Sequence, residues 1–197
     1  ATTEIYTLSL HDALPICAML FGYGLPSRQV LSNGIGPPLR ISAAPSAPLC
    51  PPGRLVDEFA EFTAGGVRFE LHAAPGETRD HLFIWLPEDR VLFAGDNIYQ
   101  AFPNLYSLRG VSPRPVRGWI DSLDAMRRLT PRPELLILGH TLPVEGAARI
   151  ADLLTSYRDA IAWVHDSVVR GLNQGKSIDL LAREIKLPPH LAEHPYL

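Results

Sequence analysis

The stretch PGETRDHLFIWLPEDRVLFAGDN, residues 75–97, decides the fold. Leu82 to Leu86 is a short apolar run, Pro87-Glu88-Asp89 is turn-forming, and Val91 to Ala94 is a second apolar run. Short apolar runs bounded by turn signals predict two adjacent buried strands. An acidic residue stands beside a glycine on either side of this unit, Gly76-Glu77 before it and Gly95-Asp96 after it. Glycine lets the backbone turn sharply and expose its neighbour's side chain at a strand end.

Upstream, Phe59 to Phe62 and Val67 to Leu71 alternate apolar and polar residues around Gly65-Gly66, which predicts a β-hairpin. Prolines concentrate between Pro26 and Pro52, and that stretch reads as irregular chain. Downstream, Val116, Trp119, Ile120, Leu123, Met126 and Leu129 have helical spacing, with Pro115 near the helix start. Leu135 to Leu138 is a brief buried strand that runs into Gly139-His140. From Gly146 the texture changes. Ile150, Leu153, Leu154, Tyr157, Ile161, Val164 and Val168 predict a long amphipathic helix ending near Gly171 or Gly175. Ser177 can cap a shorter helix over Ile178 to Ile185, stopped by Pro188-Pro189. The expected boundary between the strand-rich and all-helical parts lies at Pro143 to Gly146. No internal repeat is visible.

The chain has 197 residues, 46% hydrophobic and 20% charged, which allows one domain plus a smaller piece. A net charge of −3 argues against nucleic acid as a partner. No apolar run is long enough to span a membrane. Cys17 and Cys50 do not form a C-x-x-C pair and read as incidental thiols.

Glu77, Asp96 and His140 each stand at a predicted strand end beside a glycine. Carboxylates and imidazoles are what zinc binds, and a hydrolytic zinc site needs an open position for water. Singly these signals are weak: a Gly-Asp is a turn by default, a Gly-His a loop, a lone Glu a solvated acid. Their ordered series, interleaved with strand, turn, strand, helix and strand, favours a metal site.

This series resembles the second half of the metallo-β-lactamase fold, an αββα sandwich in the α/β class. The resemblance implies that Glu77 stands where most of that superfamily places a metal-binding His, which is the pattern of the alkyl sulfatase branch. It implies that Asp96 bridges two zinc ions and that His140 is the late His on the second metal. His81 falls at a non-ligand position and is expected to be structural. The signature H-x-H-x-D-H is absent from the sequence and is expected upstream of Ala18. Residues 102–110, Phe102-Pro103-Asn104-Leu105-Tyr106-Ser107-Leu108-Arg109-Gly110, look like the alkyl sulfatase motif in which Asn and Arg grip the substrate sulfate. Asn104 and Arg109 take those roles by this likeness. Arg offers a rigid fork of donors to an oxyanion, Asn adds a neutral donor, and both suit charge building up on a departing sulfate. Phe21-Gly22-Tyr23-Gly24 is similar to a Tyr-Gly pair bordering the same pocket, where Tyr23 is either a sulfate donor or a packing residue.

The helical tail, with Trp163-Val164-His165-Asp166, Asn173-Gln174-Gly175 and Leu187-Pro188-Pro189, resembles the start of the alkyl sulfatase dimerisation domain. Trp163 and His165 read as packing residues. Residues 1–16, ATTEIYTLSLHDALPI, look like translated sequencing-adapter read-through. The expected organisation is therefore an artefact over 1–16, the C-terminal half of a hydrolase domain over 17–145, and the start of a dimerisation domain over 146–197. The activity implied is hydrolysis of alkyl sulfate esters at two zinc ions, in a protein that forms a homodimer when complete. Three alternatives stand beside it. One is a hydrolase of the same fold acting on a thioester, lactone or β-lactam, with Asn104 and Arg109 structural. Another is a non-catalytic dimerisation module. The last is an assembly remnant with no independent function. With only part of the ligand set present, the isolated chain is expected to bind zinc poorly. A zinc titration checks this, and nanomolar binding of two equivalents per chain would contradict it.

Overall fold

The computed structural model describes residues 55–106 and 113–197. The expected hairpin forms: β1 (Phe59–Ala64) and β2 (Val67–Ala73) pair antiparallel. Gly65 and Gly66 between them both have positive φ, 58° and 82°. A two-residue turn with left-handed backbone at both positions matches strand twist, and glycine adopts it without a Cβ penalty. β3 (Leu82–Leu86) and β4 (Val91–Gly95) continue the antiparallel meander.

The chain then leaves the sheet, crosses as helix α1 (Val116–Arg127), and returns as β5 (Leu135–Leu138) parallel to β4. Parallel neighbours need such a crossover. A strand of two residues, β6 (Val144–Glu145), adds antiparallel to β5 and was too short to leave a sequence pattern. The result is one mixed six-stranded sheet in the order β1-β2-β3-β4-β5-β6.

Three helices follow: α2 (Ala147–Asn173), α3 (Ile178–Glu184) and α4 (Pro189–Ala192). The Ser177 hydroxyl caps α3 as expected, accepting the Leu180 N–H at 3.3 Å. The doubled proline follows the end of α3, as expected, and also begins a further helix. α3 ends before it, and Pro189 opens α4 as its first residue, where the missing N–H costs nothing.

Alternate residues of β3, β4 and β5 (Phe83, Trp85, Leu92, Ala94, Leu136 and Leu138) are buried in one core. The same core takes Trp119, Ile120, Leu123 and Met126 from α1 and Ile150, Leu154, Tyr157 and Ile161 from α2. Burying each large apolar side chain stabilises by roughly 1.5–3 kcal/mol. Secondary structure changes at Gly146 as expected, yet this core continues across that point into α2. The strand registers place Phe62, Phe69, Leu71, Ile84, Phe93 and Ile137 together on the opposite face of the sheet. A sheet apolar on both faces is the pattern of an internal layer. Among the described residues no helix is long and apolar enough to cross a membrane.

A charged cluster joins α1 to α2. Asp124 accepts from Arg127 at 2.6 Å and from Arg158 at 3.1 Å. Burial pushes its carboxyl pKa up, but the hydrogen bonds and charges of Arg158 and Arg127 outweigh burial and hold it below the ordinary value. A depressed carboxyl pKa contributes stability above the unfolded value and loses it as the pH falls. Asp124→Ala is therefore expected to cost about 1–2 kcal/mol at neutral pH by urea denaturation, with the gap closing below about pH 4.

Candidate functional site

β2, β4 and β5 run in one direction, because β2 and β4 are both antiparallel to β3 and β5 is parallel to β4. The loops that follow these three strands therefore leave the same end of the sheet. Glu77 lies on the first loop, Asp96 directly follows β4, and His140 closely follows β5.

Asp96 and His140 meet. His140 Nε2 lies 3.2 Å from Asp96 Oδ2. Parallel pairing puts Gly95 opposite Leu138, so the two strand ends open side by side. The Gly139 N–H donates to the carbonyls of Gly95 at 2.8 Å and Ile98 at 3.1 Å, which locks the loops together. A Cβ on Gly139 would sit 2.1 Å from Asp96 Oδ1 and 3.1 Å from Asp96 Cα, so the carboxylate as placed uses the space that glycine leaves. His140 itself has φ 58°, a left-handed conformation that costs a non-glycine residue about 1 kcal/mol or more. Such strain persists where the surroundings over-determine it, and it gathers at functional sites.

His81 is half-buried, and its ring lies against Gly95. A Cβ on Gly95 would come within 3.0 Å of its Nε2. Burial lowers its imidazole pKa below the ordinary value, opposed by the charges of Asp96 and Asp80.

Glu77 is placed by a residue that the sequence reading passed over. Asn97 is 0% exposed. Its Oδ1 accepts the Glu77 N–H at 2.9 Å, and its Nδ2 donates to the Ala74 carbonyl at 2.7 Å. Its own carbonyl accepts the Trp119 indole N–H at 3.0 Å. Ser122 Oγ donates to the Pro75 carbonyl at 3.0 Å, tying the same loop to α1. A Cβ on Gly76 would sit 2.3 Å from Asn97 Oδ1, so Gly76 is what lets the loop reach the amide. The Glu77 carboxylate is ion-paired with Arg114, also unforeseen, through its Oε1. Ser122 did leave a signal, as a polar residue inside the apolar stripe of α1. Asn97 and Arg114 left none that distinguishes them from loop residues.

Asn104 is exposed. Its N–H donates to the Tyr99 hydroxyl at 2.8 Å, its carbonyl accepts from Arg114, and its Oδ1 accepts the Tyr106 N–H at 3.3 Å. Its Nδ2 donor makes no hydrogen bond among the described residues. Arg109 and Tyr23 lie outside the described residues, as do Cys17 and Cys50.

The structure thus joins Asp96 to His140 and places Glu77 at the same sheet end, engaged by Arg114. Among the described residues no group of three or more His, Cys, Asp or Glu side chains forms a set that could hold a metal ion. One carboxylate and one imidazole in contact are nonetheless the donor types zinc takes, and here they lie on rigid strand ends. A cleft between α1 and α2, lined by Asp124, Arg127, Ile150 and Leu154, lies apart from this group.

The pattern of the metallo-beta-lactamase superfamily matches residues 17–140. A linear primary-alkylsulfatase of a Pseudomonas species is 32% identical over 191 residues, covering 93% of this chain and 35% of that protein. The alkyl/aryl-sulfatase BDS1 of Saccharomyces cerevisiae is 35% identical over 135 residues, 68% of this chain and 21% of that protein. The solved structure of the stereoselective inverting sec-alkylsulfatase Pisa1 from Pseudomonas superposes with a TM-score of 0.70 at 29% identity, covering 74% of this chain and 24% of that one. The chain spans about a third or less of the length of these relatives.

Asn97→Ala would remove the amide that the half-buried Glu77 N–H and the buried Ala74 carbonyl use, each loss costing about 1–3 kcal/mol. Chemical denaturation of that variant is expected to show a loss of about 2–6 kcal/mol in all. A loss under 1 kcal/mol would mean that water replaces the amide.

Proposed function

Because the chain belongs to the metallo-beta-lactamase superfamily, we propose that it is part of a zinc-dependent hydrolase that cleaves alkyl sulfate esters to an alcohol and inorganic sulfate. The observation that carries the metal part of this reading is the contact of Asp96 with His140 at the ends of two parallel strands. Similarity to alkylsulfatases over nearly the whole chain supports the substrate class.

Glu77, Asp96 and His140 are this chain's ligands to a pair of zinc ions, with the remaining ligands supplied by sequence upstream of them. Zinc, when bound, supplies Lewis acidity and lowers the pKa of water. Asp96 presents an exposed carboxylate, and His140 is oriented by the interlocked loops around Gly139. Asn104, whose carbonyl and Oδ1 accept hydrogen bonds from Arg114 and Tyr106, takes the role of sulfate donor. Arg109 adds the charged fork and Tyr23 a hydroxyl donor to the same oxyanion. Charge that gathers on the sulfate as the alcohol departs is stabilised by these donors without reorganisation. The helical segment over 146–197 begins a dimerisation domain, and the complete protein is a homodimer.

The test is made on a polypeptide that carries this sequence together with the segment supplying the other ligands. It is expected to release sulfate from dodecyl sulfate, with Arg109→Ala lowering the rate by about 100-fold or more. Cleavage of a thioester, lactone or β-lactam with no sulfate release would instead identify another hydrolase of this fold.

A further inference from the structure

Arg114 touches both halves of the proposed site. Its Nη2 donates to Glu77 Oε1 and its Nη1 to the Asn104 carbonyl. The side chain is only 12% exposed. Its guanidinium carbon lies 5.9 Å from the centroid of the Trp119 ring, whose N–H is held by Asn97. Its backbone is equally constrained. It stands between Pro113 and Pro115 at the entry to α1, where the Arg114 carbonyl accepts the Val116 N–H at 2.9 Å. Proline restricts both its own φ and the residue before it. A planar fork on a fixed stem holds its two acceptors at one spacing, which a flexible ammonium on a four-carbon chain does not.

We propose that Arg114 is a positioning residue that holds the Glu77 carboxylate and the Asn104 loop as a single unit, so that the metal side and the sulfate side of the site keep a fixed separation. This rests on the alkyl sulfatase reading given above. Arg114 makes no step of the reaction itself. It restricts the orientation of the carboxylate, and it stops the Asn104 loop from drifting. Partners of this kind orient metal ligands, and their loss typically weakens metal binding or activity by about 10–100-fold. The two roles separate by chemistry. Lys can keep the charged contact to Glu77, but it does not reproduce the rigid second contact to the Asn104 carbonyl.

The experiment uses the same complete polypeptide and compares Arg114→Ala, Arg114→Lys and the control Glu77→Gln. Zinc content by elemental analysis, zinc affinity by chelator competition, and kcat and KM on dodecyl sulfate are measured. Arg114→Ala is expected to weaken zinc binding by about 10–100-fold and to raise KM. Arg114→Lys is expected to bind zinc nearly as the parent does while KM stays raised about tenfold. If Arg114→Ala does not fold, Arg114→Lys alone decides, since a purely structural role would leave its KM at the parental value. Parental zinc affinity and KM in the Arg114 variants, with only a lowered melting temperature, would overturn the proposal. If Glu77→Gln keeps full zinc affinity, the ligand reading of Glu77 fails. The KM of the Arg114 variants then still decides whether the guanidinium positions the Asn104 loop.

Discussion

The buried amide of Asn97 is the constraint on which the site depends. A primary amide out of contact with water must satisfy its donor and acceptor groups or pay a desolvation cost of a few kcal/mol. Here it does so with the backbone of Ala74 and Glu77, a loop twenty residues upstream. Because Asn97 directly follows Asp96, satisfying the amide also sets the spacing between the backbones of two acidic residues. Trp119 and Ser122 repeat the tie from α1, so the loop is held from two sides. The glycine at 76 is part of the same arrangement, since any side chain there would displace the amide.

Strand direction contributes the second element. Two antiparallel pairings followed by one parallel pairing send β2, β4 and β5 toward the same end of the sheet. In open α/β sheets ligands gather beyond the carboxyl ends of strands for this reason. Each of the two acids at this end has a basic neighbour, Arg114 for Glu77 and His140 for Asp96.

The sheet is also tied to the helices that follow it. Residues of α2 complete the core begun by β3, β4 and β5, so the helical segment packs as part of the same compact unit. The charged cluster of Asp124, Arg127 and Arg158 closes the rim between α1 and α2. The other face of the sheet carries a second apolar row, of which Phe62 and Phe93 remain partly exposed. Both features suit one layer of a larger sandwich, in keeping with relatives several times longer than this chain.

Much of this was legible in the residues alone. Alternation located β1 and β2, short apolar runs between turn signals located β3, β4 and β5, and helical spacing located α1 and α2, because burial on one face imposes period two on strands and a stripe on helices while burial on both faces leaves a continuous apolar run. Gly65-Gly66 announced its turn, Ser177 its cap, and Gly-Asp and Gly-His marked the strand ends where Asp96 and His140 meet. What the tertiary structure decided was of another kind. Asn97, Arg114 and Ser122 act through partners distant in the chain, and β6 exists only because β5 lies beside it. Pro188-Pro189 looks the same whether it stops a helix or starts one. Local periodicity records which face of an element is buried. It carries no record of which distant polar group will be waiting there, because that depends on how the strands pair and on the cost of leaving any buried donor or acceptor alone.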